Sequence, residues 1–85
     1  MKEQDIIDLG FERVDITKEQ SGHEDDWHYY TYDFTRGLSL ISSDNDLAKR
    51  KGHWHIEIFE TDEQIIFTDV SKVRKLMDLI IEAKQ

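Results

Sequence analysis

The sequence predicts a single α+β domain, an antiparallel sheet of four or five strands with a short N-terminal helix and a longer C-terminal helix packed on one face. Three observations support this fold class. With 85 residues, the chain is too short for a second hydrophobic core, so residues 1–85 form one domain. Several central stretches alternate apolar and polar residues, as strands do. The C-terminal stretch places apolar residues three or four positions apart, as a one-sided helix requires.

The first predicted element is a short amphipathic helix over residues 2–9, KEQDIIDL. Gly10 follows this helix directly. A glycine at this position can adopt the left-handed conformation that ends a helix, because it has no Cβ to clash. The turn would let Phe11 fold back onto Ile6.

The first predicted strand lies in residues 11–17, FERVDIT, where Val14 and Ile16 alternate with charged neighbours. This alternation indicates a strand with one buried face. The following stretch, residues 18–26, contains no apolar residue and is rich in carboxylates. We therefore expect it to be a solvated acidic loop.

The strongest strand signal is the aromatic stretch WHYYTYDF, residues 27–34. Arg36 and Gly37 predict a tight turn, after which LSLIS, residues 38–42, returns as the hairpin partner. Residues 43–52, SDNDLAKRKG, interrupt the strand pattern with Asn, Asp and Gly. We expect this stretch to be a break between strands.

A further strand is predicted for residues 53–60, HWHIEIFE, where apolar and polar residues alternate cleanly. A turn at residues 61–63 should lead into a last strand at residues 65–68, IIFT. The C-terminal helix should run from about Asp69 to Ala83, with Thr68 or Asp69 as its N-cap.

The expected core follows from these periodicities. The positions expected inside are Val14, Ile16, Tyr30, Tyr32, Leu38, Leu40, Trp54, Ile56, Ile58, Val73, Leu76, Met77 and Ile80.

The charge of the chain is strongly negative, with 19 acidic against 11 basic residues and a formal net charge of -8. Residues 1–48 hold twelve acids and four bases, whereas residues 49–85 hold seven of each. Such a field repels phosphate backbones and attracts basic surfaces, which disfavours direct nucleic-acid binding. The composition thus points to an acidic protein with a basic protein partner.

The chain contains no cysteine, so disulfides and thiolate metal sites are excluded and packing alone must stabilise the fold. Acids interrupt the apolar stretch near the N-terminus, and no run approaches the 18 or so apolar residues of a membrane span. We expect a cytoplasmic protein without a membrane segment or a cofactor. The composition does not indicate an oligomeric state.

The candidate partner-binding site combines charge with aromatic side chains. Its residues are Glu19, Glu24, Asp25, Asp26, Trp27 and Tyr29. The aromatic residues of one strand cannot all face one core, because successive side chains point to opposite faces. Exposed aromatics beside acids are typical of a protein interface. Two alternatives remain: the acids serve solubility, and cross-strand aromatic pairs only stabilise the sheet.

A second candidate is a metal- or ligand-binding module on the histidine-rich strand. His53, His55 and Glu57 should project from one side of this strand, and His28 on a neighbouring strand could complete a metal site. The spacing is not a recognised zinc pattern, and an exposed sheet face carries polar residues by default. We therefore treat this site as the alternative.

An enzymatic function is not expected. The chain has no glycine-rich phosphate loop, no serine elbow and no cysteine nucleophile. Asp33 and Glu57 lie within apolar stretches, but strand alternation alone explains both as outward-facing residues.

Several segments, in order, resemble small acidic proteins of bacteriophages and prophage regions: DLGFERV, YYTYDF, LSLIS, HWHIEIFE, IIFTD and a closing leucine-containing helix. The likeness covers most of the chain and contains no catalytic motif, so it assigns no residue a role. It implies a context of anti-defence. Such proteins often inhibit host nucleases or CRISPR effectors, in some cases by imitating the charge of DNA.

Overall fold

The structure is a computed structural model that describes residues 1–17, 19 and 26–84. The elements within these residues are α1 (Glu3–Asp8), β1 (Glu12–Ile16), β2 (Trp27–Thr35), β3 (Leu38–Ser42), α2 (Asn45–Lys51), β4 (Ile56–Ile58), β5 (Ile66–Phe67) and α3 (Val70–Ala83). The strands form one sheet in the order β1–β2–β3–β4–β5, and all neighbours are antiparallel. The predicted α+β class is confirmed.

The core lies between one face of the sheet and the helices α1 and α3. Its buried members are Ile6, Phe11, Tyr30, Phe34, Leu40, Ile56, Val73 and Met77. Tyr32, Leu38, Trp54, Ile58, Leu76 and Ile80 pack against them and are partly buried. Most of the predicted core is therefore confirmed, and both predicted helices contribute to it on the same face.

Two residues of the predicted core, Val14 and Ile16, face the other side of the sheet. In the register of β1 and β2, Val14 lies opposite Tyr29, whereas the core residue Tyr30 lies opposite Arg13. Paired residues of antiparallel strands share a face. The alternation predicted for β1 is present, but its apolar side points away from the helices.

The helix α1 ends as its sequence predicts. Gly10 has a φ of 93°, a conformation that residues with a side chain rarely adopt. The chain turns back there, and Phe11 joins Ile6 in the core.

The second helix, α2, corrects the prediction that residues 43–52 only interrupt the strands. Asp44 caps this helix because its side chain accepts a 2.8 Å hydrogen bond from the Leu47 backbone amide. Gly52 ends it with a φ of 82°. The Asn and Asp residues that indicated a break are the cap and first turn of a helix.

The strand β4 is shorter than predicted, since its ladder covers only Ile56–Ile58. The Trp54 amide donates to the carbonyl of Met1, and the His55 amide donates to the Ser43 side chain. These bonds replace a regular ladder with β3, so His53 and His55 precede the strand.

The helix α3 begins at the predicted cap. Asp69 accepts a 2.9 Å hydrogen bond from the Ser71 amide and a 2.7 Å bond from the Ser71 hydroxyl. None of the helices in the described ranges is long and apolar enough to cross a membrane.

Candidate partner-binding surface

The sheet has one face that the core does not use. We call it the open face and define it by strand register, since paired residues share a side and successive residues alternate. Its strand positions are Glu12, Val14, Ile16, Trp27, Tyr29, Thr31, Asp33, Ser39, Ile41, Glu57 and Ile66. These residues come from all five strands, so the open face spans the width of the sheet.

The apolar part of the open face centres on two cross-strand pairs. Val14 lies opposite Tyr29, and Ile16 lies opposite Trp27. All four side chains are partly exposed, and none belongs to the core or packs against it. Ile66 at the other end of the face is 42% exposed. The open face thus presents aromatic and branched side chains to solvent.

The charges on the open face are all negative. Glu12, Asp33 and Glu57 lie on it, and its strand positions include no Lys or Arg. Asp33 accepts a 2.6 Å hydrogen bond from the Ser39 hydroxyl, and Glu57 accepts a 2.9 Å bond from the side-chain amide of Gln64. Within the described residues, none of the three acids forms an ion pair with a Lys or Arg. Their charges are therefore not neutralised by any lysine or arginine that the structure describes.

Two of the four acids predicted to lie beside these aromatics are among the described residues. Asp26 directly precedes Trp27 and is exposed, and Glu19 is also exposed. Glu24 and Asp25 lie outside the described residues. The structure thus places Trp27 and Tyr29 on the open face, with Asp26 next to Trp27 in the chain.

The four residues of the metal alternative do not meet at one point. His55 Nε2 lies 3.3 Å from Glu57 Oε2, and His55 is buried. His28 lies on the opposite face of the sheet, because it precedes Tyr29 and contacts Glu3 of α1. His53 is exposed. Across the described ranges, no three His, Asp or Glu side chains come together as metal ligands, so the geometry does not support this alternative.

A polar cluster on the helix side was not predicted. Glu3 Oε2 accepts hydrogen bonds of 2.7 Å from both the Tyr30 hydroxyl and His28 Nε2. The His28 and Tyr30 rings also contact the Trp54 ring, with centroids 5.8 and 5.7 Å away. The His28 backbone amide donates to the Asn45 side chain at 2.8 Å. This cluster ties α1 and α2 to the start of β2.

The cluster shifts the pKa values of two of its members. Burial raises the pKa of the Glu3 carboxyl. The hydrogen bonds from Tyr30 and His28 together lower this pKa by more than burial raises it, so the pKa lies below its usual 4.5. Burial and the hydrogen bond to Glu3 raise the pKa of the Tyr30 hydroxyl above its usual 10.0. The folded state therefore favours an ionised Glu3 beside a protonated Tyr30.

Sequence reasoning missed the aliphatic half of the open face, above all Val14, Ile16 and Ile41. The alternation around Val14 and Ile16 was visible, but alternation does not say which side of a strand meets the core. The register of β1 against β2 determines which side of β1 meets the core. A long connection, such as the one between β1 and β2, does not set this register as a tight hairpin turn does.

The chain matched no family model, no curated protein and no solved structure.

Proposed function

We propose that this protein is a non-enzymatic binding module whose open face docks on a basic surface of a protein partner. The partner we favour is a host defence or nucleic-acid-processing protein, and the docked surface is the one that holds nucleic-acid phosphates. The observation that carries the proposal is the composition of the open face: aromatic and aliphatic side chains accompanied by charges of one sign.

The two apolar pairs would form the contact with the partner. Trp and Tyr are enriched among the residues that contribute most to binding energy at interfaces. Trp27 and Tyr29 are next-but-one neighbours on β2, and their partners Ile16 and Val14 extend the same surface onto β1. A partner that covers this row would bury two aromatic anchors with their aliphatic neighbours.

The acids supply specificity and association rate. Complementary charge at the rim of an interface accelerates encounter and excludes partners of the wrong sign. Glu12 and Asp33 lie on the open face beyond Tyr29, toward the turn between β2 and β3, and Asp26 precedes Trp27 at the other end of β2. With a net charge of -8, the whole chain attracts a basic partner and repels nucleic acid. Inhibition would follow because the docked protein occupies the phosphate-binding surface.

The test is a kinetic measurement with a charge-matched control. The parent protein, immobilised, captures interacting proteins from the lysate of its host, and a captured protein that is produced recombinantly is measured by surface plasmon resonance. Glu12→Lys combined with Asp33→Lys should slow association at low salt and change dissociation less. Glu82→Lys combined with Asp78→Lys on α3 makes the same change of charge away from the open face and should slow association less.

The aromatic anchors predict the complementary effect. Trp27→Ala should mainly accelerate dissociation, because it removes a contact that forms only in the docked complex. The proposal is wrong if both charge-reversed variants associate equally fast, or if the partner's contact surface is neutral or acidic. It is also wrong if the bound partner retains its full affinity for nucleic acid.

A further inference from the structure

A groove of about 400 Å³ opens on the helix side of the molecule. The first residues of the chain, helix α2 and the segment that leads into β4 form its walls, and its lining includes Lys2, Glu3, Lys49, His53 and Trp54. None of these residues belongs to the open face. The volume lies within the range of roughly 300–1,000 Å³ that is usual for small-molecule sites.

The lining of the groove carries more lysines than acids, although the chain as a whole is negative. Lys2, Lys49 and His53 line it, and Glu3 is its single acidic residue among the described residues. Oε2 of Glu3 already accepts hydrogen bonds from Tyr30 and His28. Neither lysine forms an ion pair within the described residues, and nor does His53. A protein with 19 acidic residues thus has two lysines at one groove that no described carboxylate pairs with.

We infer that this groove binds a small phosphorylated molecule. Lysine and histidine donate charge-assisted hydrogen bonds to phosphate oxygens. Lys2, just before α1, and Lys49 on α2 both line the groove. Trp54 adds an aromatic surface that a planar ring can contact. The Trp54 ring also contacts the His28 and Tyr30 rings, which hold it in place. This part of the site is therefore formed before a ligand binds.

The charge of the whole chain limits the size of the ligand. A nucleic-acid strand would extend beyond the groove, and the net charge of -8 on the chain repels it. A small molecule places its phosphates only between the cations. The site is separate from the open face, so it stands or fails independently of the proposed partner.

The experiment is a titration of the ¹⁵N-labelled protein followed by NMR, with ADP, inorganic pyrophosphate and adenosine as probes. ADP and pyrophosphate should shift the backbone amides of Lys2, Gly52 and His53, and adenosine should shift them much less. A stronger response to ADP than to pyrophosphate would show that the ring contributes through Trp54, whose indole N–H signal should then move. The affinity should fall as salt is added.

Lys2→Gln combined with Lys49→Gln should weaken binding at least about tenfold, since each change removes a charge-assisted hydrogen bond. Lys72→Gln combined with Lys75→Gln on α3 removes the same charge elsewhere and should leave the affinity unchanged. The inference is overturned if no probe shifts the groove signals, if shifts are spread over α3 as strongly as the groove, or if both variants lose affinity equally.

Discussion

Glu3 in the first turn of α1 accepts a 2.7 Å hydrogen bond from the Tyr30 hydroxyl in β2, 27 positions later in the chain. Tyr30 is only 3% exposed, and its hydroxyl lies at the edge of the core, next to the first residue of α1. The same Glu3 oxygen also holds His28. This contact therefore joins the short N-terminal helix, which is too short to be stable alone, to the sheet.

Removal of the Tyr30 hydroxyl should destabilise the fold. Tyr30→Phe keeps the buried ring but leaves Glu3 without one of its donors, and we expect a loss of about 1–2 kcal/mol in the free energy of unfolding. Urea denaturation measures it. Tyr29→Phe is the control, because Tyr29 lies on the open face and its hydroxyl does not contact Glu3, whose Oε2 accepts from Tyr30 and His28. Equal losses in both variants would contradict the structural role of the Glu3 contact.

The lowered pKa of Glu3 predicts a pH dependence of stability. Glu3 has a pKa below its usual 4.5 in the folded state, so the folded state binds its proton less tightly than the unfolded state does. Its contribution to stability is present above the unfolded pKa and is lost as the pH falls through the folded pKa. The difference in unfolding free energy between the parent and Glu3→Gln should therefore shrink between about pH 6 and about pH 3. Glu12→Gln serves as the control, and a constant difference for Glu3→Gln would contradict the prediction.

The cap of α2 should contribute measurably to stability. Asp44→Ala removes the side-chain acceptor of the Leu47 amide, and we expect a loss of about 1 kcal/mol in the free energy of unfolding. Asp46→Ala is the matched control, since it removes only the exposed ion pair with Arg50 and should cost at most about 0.5 kcal/mol. Thermal denaturation compares the two variants. A larger effect from Asp46→Ala would show that Asp44 does not cap the helix.

The face that α3 buries can be tested with three substitutions. Met77 is buried, Leu76 is partly buried and Leu79 is 66% exposed. Met77→Ala should cost about 2–5 kcal/mol because it opens a cavity in the core. Leu76→Ala should cost less, and Leu79→Ala should stay within about 0.5 kcal/mol of the parent. Another order of the three unfolding free energies would mean that the helix is rotated about its axis.

The metal alternative predicts a zinc affinity that depends on the histidine-rich segment, and the geometry predicts the opposite. His28 lies on the other face of the sheet from His55 and Glu57, so these side chains cannot share an ion. Titration calorimetry with zinc at neutral pH should give the same heat for the parent and for His53→Ala combined with His55→Ala. A heat that is present in the parent and lost in the variant would restore the metal site.

Local patterns in the sequence determined the class of the fold and most of its elements. The alternation in β2 and β3, the Arg36–Gly37 turn, Gly10 after α1 and Asp69 before α3 each follow from the conformational preference of a few adjacent residues. Helix α2 escaped prediction because Asp44, Asn45 and Gly52 suit both a loop and the two ends of a helix. Here the same residues permit two local structures.

The composition of the two sheet faces was decided only by the tertiary structure. Val14 and Ile16 are as apolar as core residues, but the register that pairs Val14 with Tyr29 turns them to the open face. A shift of one residue exchanges the faces of a strand, and the register depends on contacts between strands that are distant in sequence. The link from Glu3 to Tyr30 and the groove between Lys2 and Lys49 have the same origin. They join residues that no local pattern relates, because only packing of α1 and α2 around the sheet brings them together.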